Sequence, residues 1–421
     1  MKIMVLNCGS SSVKFQVIET SLEAIEANTD ATLARGAVEK IGLSDSRLSL
    51  EVPGRKPHQE IAEILEHRAA VERVLKVLTS QEHGILADAS EIEAVGHRMV
   101  HGGEKFASSV LVTPEVEAMI EECVVLAPLH NPHNLRGLTA ARSLLPNVPH
   151  VAVFDTAFHQ SMPPRAFIYG LPYELYTRHA IRRYGFHGTS HRYVSIRTAN
   201  LLRRPLEELR VVTCHLGNGC SMAAVDRGRS VDTTMGFTPL EGLLMGTRCG
   251  DLDPAIVSWV LAMEDVTLAQ LNAMLNKHSG LYGVSGVSSD MREIEKACTT
   301  GNRRACLALD IFCYRIKKYI GAYAAAMGGV DAVTFTGGIG ENSALVRSHT
   351  LSDMAFFGIE LDEEANASVP SGQEVLVSRP GTRVAVAVVP TNEERVIARD
   401  TVRVLGHVMP SFAVPGNEAP R

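Results

Sequence analysis

The 421-residue chain has no apolar run approaching the ~18 residues that a membrane-crossing helix needs. Its opening, MKIMVLNCGSSS, carries one Lys and a short apolar stretch broken by Asn and Gly, which fits no secretory leader. A basic excess is missing too: 41 Lys and Arg stand against 47 Asp and Glu, a net charge of -6, so neither a nucleic-acid backbone nor an anionic membrane meets a polybasic surface. The eight cysteines form no CxxC pair, and many lie in apolar strand or helix contexts; we expect them reduced and structural, with no zinc site. No GxxxxGK[ST] loop occurs, which argues against P-loop enzymes. What remains is a soluble, cytoplasmic protein acting on small molecules. At 45% hydrophobic residues over this length, the chain exceeds what one core holds, so two domains are expected.

The stretch VVTCHLGNGCSMAAVD (211–226) reads as a strand, a Gly-rich reversal and a second strand, with backbone N–H groups and Asn218 free to face an anion. By itself it is more simply read as an ordinary Asn-Gly hairpin. Residues 2–20, KIMVLNCGSSSVKFQVIET, repeat the plan, with Asn7, Gly9 and three serines in the turn. Two copies point to two similar halves, each opening with a strand–phosphate loop–strand.

Short strands are expected within 34–49, and apolar residues at helical spacing over 58–79 predict an amphipathic helix. Residues 93–100 form a strand that places Arg98 near a Gly pair at its end; a surface Arg paired with a carboxylate is the alternative. Thr113 and Pro114 start a helix. The loop APLHNPHN holds His130 between prolines, either facing a ligand or simply exposed, and a helix follows over 134–145. The strand 150–154 ends at Asp155, where open α/β sheets place catalytic groups and where an acid can hold Mg²⁺ through water, or merely cap a helix. In RRYGFHGTSH, Gly185 and Gly188 bracket Phe186 and His187 before a helix that Thr189 or Ser190 can cap. His187 and His191 are four apart, but no acidic ligand completes a metal site. The Gly-rich stretch 231–254 contains Arg248, Asp251 and Asp253, and a long helix covers 302–327. GGIGENSALVR follows the strand 331–336; Ser343 stands where a dinucleotide fingerprint needs Gly or Ala, so a turn and helix around a nucleotide fit better than a Rossmann site. A strand over 383–389 leads to PTNEER, where Thr391 or Asn392 caps a helix with Glu393 and Glu394 in its first turn, as metal carboxylates or as partners of the helix dipole. The tail is rich in Pro, Gly and Ala and is expected to be disordered.

Taken together, NCGSSSVK, GHRMVHGG, APLHNPHN, FDTAFHQ, RYGFHGTSH, HLGNGCS, MGTRCGDLDP, FTGGIGEN and PTNEER resemble the acetate kinases, the acetokinase family of the acetate and sugar kinase, Hsp70 and actin superfamily, in order and across nearly the whole chain. The resemblance implies an α/β fold of two duplicated ribonuclease H-like (actin-like) domains with an interdomain nucleotide cleft: residues 1–155 completed by the C-terminal helix 394–407, then a nucleotide-binding domain 156–393, then the tail 408–421. It implies reversible, Mg²⁺-dependent, direct in-line transfer of the ATP γ-phosphoryl group to acetate, giving acetyl phosphate and ADP, with Mn²⁺ as a substitute metal and a homodimer as the assembly. Other readings are a propionate or other short-chain carboxylate kinase and, from another class, an ATP-driven clamp without enzymatic output. Carried over by motif, Arg98 and Arg248 bind the carboxylate and the transferring phosphoryl group, His187 stabilises that group, Asp155 and Glu393 position the metal, and His130 supports the site. Asn7 (also toward the metal), Ser10, Ser12, Lys14, His215, Asn218, Gly219, Gly337, Gly338, Gly340 and Asn342 surround the nucleotide. Val100, Leu129, Phe186 and Pro239 enclose the acetate methyl. Cys249 replaces an expected Ser and Cys220 an expected Ala.

The chemistry fits this inventory without the family. A carboxylate is already ionised at neutral pH and needs no general base; the task is to align two anions and neutralise the phosphoryl oxygens. Even two unit charges ~4 Å apart repel by roughly 4 kcal/mol at an effective dielectric of about 20, so paired cations are required.

Overall fold

The computed structural model describes residues 1–408, so all but the first residue of the tail at 408–421 lies outside the described residues. The chain divides into two compact units, one of Met1–Phe158 with the chain from Asn392, the other His159–Thr391.

The first unit is built on an eight-stranded sheet of β1 (Lys2–Cys8), β2 (Ser12–Glu19), β3 (Ala31–Glu39), β4 (Leu43–Glu51), β5 (His58–Ile64), β6 (Ala94–Met99), β7 (Val110–Leu111) and β8 (His150–Phe154), in the order β5-β4-β3-β2-β1-β6-β8-β7. The second unit carries β9 (Arg210–Leu216), β10 (Cys220–Asp226), β11 (Arg229–Thr233), β12 (Ala332–Thr336), β13 (Val375–Leu376) and β14 (Ala385–Val388), in the order β11-β10-β9-β12-β14-β13. Each sheet has an antiparallel run of three strands followed by two parallel ones: β3-β2-β1-β6-β8 corresponds to β11-β10-β9-β12-β14. The duplicated α/β plan expected from the two Gly-rich hairpins is therefore borne out.

The centre of strand β1, Ile3 to Leu6, is apolar because both its faces are covered. Met4 and Leu6 join a core with Val71 and Val74 of the helix His67–Leu78 and Ala141 of the helix Asn131–Leu144. Ile3 and Val5 turn the other way, into a core with Ile397, Ala398 and Val402 of the C-terminal helix Glu393–Leu405. That helix lies so close to β6 that a Cβ at Gly96 would come within 2.6 Å of Ile397 Cγ2 and of Thr401 Oγ1. The same helix is tied down by Arg399, which donates to Asp30 and Asn28.

Four local expectations are corrected. Residues 58–79 are not one helix: β5 pairs with β4, and the helix begins at His67. Ile61 and Leu65 supplied the apparent helical period but are largely exposed, and the open edge of β4 outweighs local propensity. The helix expected from residue 134 starts at Asn131, with Pro132 in its first turn. The helix Gly188–Leu202 is not capped by Thr189 or Ser190: His187 holds the N-cap position with φ 56, and the Ser190 hydroxyl is hydrogen-bonded to His215 instead. Finally, not all cysteines are free, because Cys298 and Cys306 form a disulfide linking the helix Met291–Thr299 to the helix Arg303–Met327. The remaining six are reduced, five of them buried.

Candidate active-site residues in the two units

In the first unit Arg98 lies near the end of β6, and Asp155 directly follows the neighbouring β8. The Arg98 Nε donates to both Asp155 oxygens, at 3.0 and 3.2 Å, and Nη2 donates to Oδ2 at 2.7 Å, while Glu393 Oε2 lies 3.7 Å from Nε. Burial lowers the Arg98 pKa, but the charges of Asp155 and Glu393 more than offset it and hold the guanidinium charged. Burial also pushes the Asp155 carboxyl up and Arg98 opposes that; facing a permanent cation through two-pronged contact, Asp155 remains the anion of the pair. Glu394 is raised by burial as well. Val100 is half-buried, whereas Leu129 and His130 are exposed. Asn7 sits opposite Lys14 at the mouth of the β1–β2 hairpin, with Gly9 N donating to Ser12 O at 2.8 Å to close the turn; Ser10 and Lys14 are exposed.

This frame is fixed by residues to which the sequence reading gave no role in holding the site. Asn134 receives the Val100 N–H at 3.0 Å and donates to the Cys8 carbonyl at 2.7 Å, joining the ends of β6 and β1. Asn131 clamps the His101 backbone from both sides, receiving its N–H and donating to its carbonyl. His67 reaches the Gly9 carbonyl at 2.7 Å. The two asparagines were visible in HNPHN, one turn apart on a helix start; nothing in the sequence tied His67 to Gly9.

In the second unit the β9–β10 reversal is Gly217-Asn218-Gly219. A Cβ at Gly219 would lie 2.8 Å from Arg248 Nη2 and 3.6 Å from His187 Cε1, so this glycine lets a guanidinium and an imidazole approach the turn. A Cβ at Gly246 would lie 2.0 Å from Asn218 Oδ1, and Gly246 N donates to Asn218 O, which seats the turn on the Arg248 loop. Arg248 donates to the Pro239 carbonyl at 2.5 Å, and among the described residues no carboxylate pairs with it. Burial lowers its pKa, as befits a cation held without a counter-ion. His187 stacks on His215 at 4.3 Å and its Nδ1 is 2.8 Å from the Ser221 hydroxyl. Phe186 is buried, with its carbonyl 3.0 Å from His159 Nε2.

Gly337, with φ +77, opens the turn after β12; Gly338 has open space at its Cβ position, and Asn342 donates back to the Gly338 carbonyl. Arg347, 1% exposed, was missed. It donates to the Gly340 and Glu341 carbonyls and to Asn366, fixing the end of the short helix Gly337–Asn342; burial among neutral acceptors lowers its pKa to about 10. Cys220 and Cys249 are quiet thiols, with Cys220 pushed up to about 12 by burial. Asp251 receives the Gly242 N–H and the Tyr319 hydroxyl, which makes it a brace of the Gly-rich loop. Among the described residues no three His, Cys, Asp or Glu gather as a ready-made metal cage, and no helix is long and apolar enough to cross a membrane.

Comparison with known proteins identifies the family. A model of the acetokinase family matches residues 2–399. The acetate kinase of Carboxydothermus hydrogenoformans is 52% identical over 389 residues, covering 92% of this chain and 95% of the relative. That of Caldicellulosiruptor bescii is 53% identical over 405 residues, 96% of this chain and all of the relative. Among solved structures, Porphyromonas gingivalis acetate kinase superposes with a TM-score of 0.91 at 50% identity, covering 96% of this chain and 99% of that one. A propionate kinase from Francisella tularensis gives 0.86 at 39% identity over 95% of this chain and 98% of its own.

Proposed function

The chain belongs to the acetokinase family and is a kinase with a carboxylate acceptor, and on that premise we propose that it transfers the ATP γ-phosphoryl group directly to acetate, reversibly and with Mg²⁺. The observation that carries this reading is Arg248: a half-buried cation without a carboxylate partner, beside a glycine turn and a histidine, is arranged for an anionic ligand. Arg98 takes the carboxylate of the acid. Asp155, whose two oxygens both accept from Arg98, orients that guanidinium rather than offering itself as a direct metal ligand. Arg248 and His187 take the oxygens of the transferring group, where charge accumulates during transfer. The Gly217–Gly219 and Gly337–Gly340 turns receive the nucleotide, with His215 and Asn342 beside them.

The donors fit a hard cation. Glu393 offers a half-buried carboxylate and Asn7 an amide oxygen, and these residues would hold Mg²⁺ together with water and the nucleotide phosphates. Mn²⁺ would fit the same oxygen donors. When bound, the metal neutralises charge on the phosphates. Neither residue needs to move a proton, since acetate arrives ionised.

Arg98 is the next-to-last residue of β6 and Val100 follows the strand directly; two residues apart, they are assigned to one face, with Val100 bordering the alkyl end of an acid held by Arg98. A β-branched wall favours a methyl group, and one more methylene changes binding by only ~1–3 kcal/mol, so propionate is a poorer substrate rather than an excluded one. Trapping the acyl phosphate as hydroxamate with acetate, propionate and butyrate side by side tests both points. Acetate should give the highest kcat/KM; product from none of the acids would overturn the kinase assignment, and a preference for butyrate would overturn the choice of acid.

We further propose a cytoplasmic homodimer. The helix Ala255–Met263, AIVSWVLAM, has no buried residue, and Ile256, Trp259 and Met263 are largely exposed, which a second copy of this surface would cover. Trp259→Glu should shift the sedimenting species from dimer to monomer, and a monomeric parent protein would refute the assembly.

A further inference from the structure

His187 is one end of a buried chain of polar groups that the reaction itself does not need. Its Nδ1 lies 2.8 Å from Ser221 Oγ; the same hydroxyl lies 2.7 Å from His191 Nε2; and His191 Nδ1 lies 2.7 Å from Thr213 Oγ1. Ser221, His191 and Thr213 are all fully buried, so each link costs free energy if left unmade. His191 is neutral: burial, with His159 and His215 nearby, pushes its pKa well below the ordinary value. A neutral imidazole has one donor and one acceptor, and a serine hydroxyl has one proton to give. Ser221 Oγ meets only the two rings, and accepting from both would leave its own buried proton without an acceptor, so it donates to one ring and accepts from the other. The chain can therefore run in only two senses, and the sense decides which nitrogen of His187 carries its proton.

We propose that Thr213, His191 and Ser221 form a proton-ordering relay that keeps His187 as the neutral Nε2–H tautomer, so that Nε2 donates to the transferring phosphoryl group without His187 having to become a cation. This rests on the assignment of His187 to that group above. The direction follows from the Thr213 end. Its hydroxyl has the His191 ring at 2.7 Å and, as the competing acceptor, the Ala223 carbonyl at 3.4 Å, beyond the usual O–H···O range. Thr213 therefore donates to His191 Nδ1, His191 Nε2–H donates to Ser221, and Ser221 donates to His187 Nδ1. The opposite sense would place the proton on Nδ1 and present a lone pair to an anion unless the ring took a second proton. The left-handed backbone at His187, φ 56 and ψ 26, fixes the ring at the start of its helix. Ser221 and His191 are thus positioning residues: they act through His187.

The test has a spectroscopic arm that needs no turnover. In full-length protein labelled with ¹⁵N-histidine at pH 7.5, long-range ¹H–¹⁵N spectra, with His187 identified by loss of its signals in His187→Gln, should show a protonated Nε2 and a bare Nδ1. A protonated Nδ1 on His187 overturns the proposal whatever the activity. In the kinetic arm, Ser221→Ala should lower kcat about tenfold, the scale of one lost hydrogen bond, with KM for ATP and acetate within about twofold. Ser221→Thr, which keeps the hydroxyl, should recover most of kcat. A Ser221→Ala enzyme with unchanged kcat also overturns the relay, and if that variant does not fold, the wild-type spectrum decides alone. Should the wild type make no acyl phosphate, the functional reading fails while the tautomer result still stands or falls by itself.

Discussion

Replacing Asp155 by Asn keeps the size of the side chain and one acceptor but removes the buried charge opposite Arg98. In its place a nitrogen faces guanidinium donors that now contact the carboxylate at 2.7–3.2 Å. Breaking a buried ion pair from one side costs roughly 3–5 kcal/mol. Glu393, at 3.7 Å from Nε, can take up part of the orphaned charge, so a net loss of about 2–3 kcal/mol is expected. For a unit of this size each kcal/mol moves the melting temperature by about 2–4 °C, giving a drop of roughly 4–12 °C by calorimetry. The kinetic signature is more specific. If Arg98 swings toward Glu393, kcat/KM for acetate should fall by about 10²-fold, and the Mg²⁺ concentration for half-maximal rate should rise because Glu393, the proposed metal carboxylate, is now shared. A variant that melts within ~2 °C of the parent and keeps both kinetic parameters would show that Asp155 neither orients Arg98 nor balances it.

Two further perturbations separate roles that share a helix. Glu393→Ala should raise the Mg²⁺ requirement several-fold, whereas Glu394→Ala should cost only the helix-dipole contribution of about 0.3–1 kcal/mol; equal small effects in an Mg²⁺ titration would leave Glu393 as a helix-start acid and nothing more. Asp30 is raised by burial, but hydrogen bonds from Arg399 and Thr20 outweigh that and depress its pKa in the folded state. Its contribution is therefore complete above the ordinary carboxylate value of about 3.9 and is withdrawn as pH falls through the lower folded value. Asp30→Asn should lower stability at neutral pH and flatten the acid limb of the denaturation curve below about pH 4; a parallel acid limb would exclude this pair as its source.

The sheet cores were legible because the chain writes them locally. β1 and β9 are mainly apolar strands running into glycine turns, and that pattern gave the duplication before any contact was known. Arg98 and Asp155 were each legible as strand-end residues, yet their pairing was not. It spans 57 residues and depends on β6 and β8 lying side by side, which no periodicity encodes. β5 was misread for a related reason: its residues fit a helical spacing, and only the free edge of β4 makes them a strand. The link between Cys298 and Cys306 is an eight-residue separation across a helix–helix turn and matches no short motif. Arg347 looked like any basic residue of an amphipathic helix, and only its burial against the Gly340 and Glu341 carbonyls shows what it holds.

The correspondence of the two sheets also shows where the halves have parted. β6 and β12 occupy the same place beside the hairpin strand, and β8 and β14 the next place out. In the first unit those strand ends carry a charged pair, Arg98 and Asp155. In the second, β12 runs into Gly337, whose Cβ would meet the Leu216 backbone at 2.7 Å, so the strand end presents peptide groups instead of a side chain. The cation there comes from the Gly-rich loop as Arg248, and it comes without an anion. Strand interiors are constrained by packing on both faces, whereas strand ends are constrained only by what they touch, so a duplicated sheet can keep its register while its ends take different chemistry. Under the assignment proposed above, a paired arginine in one unit and an unpaired one in the other is the division of labour that joining a carboxylate to a phosphoryl group calls for: the first must hold its direction, and the second must lack a competitor for its ligand.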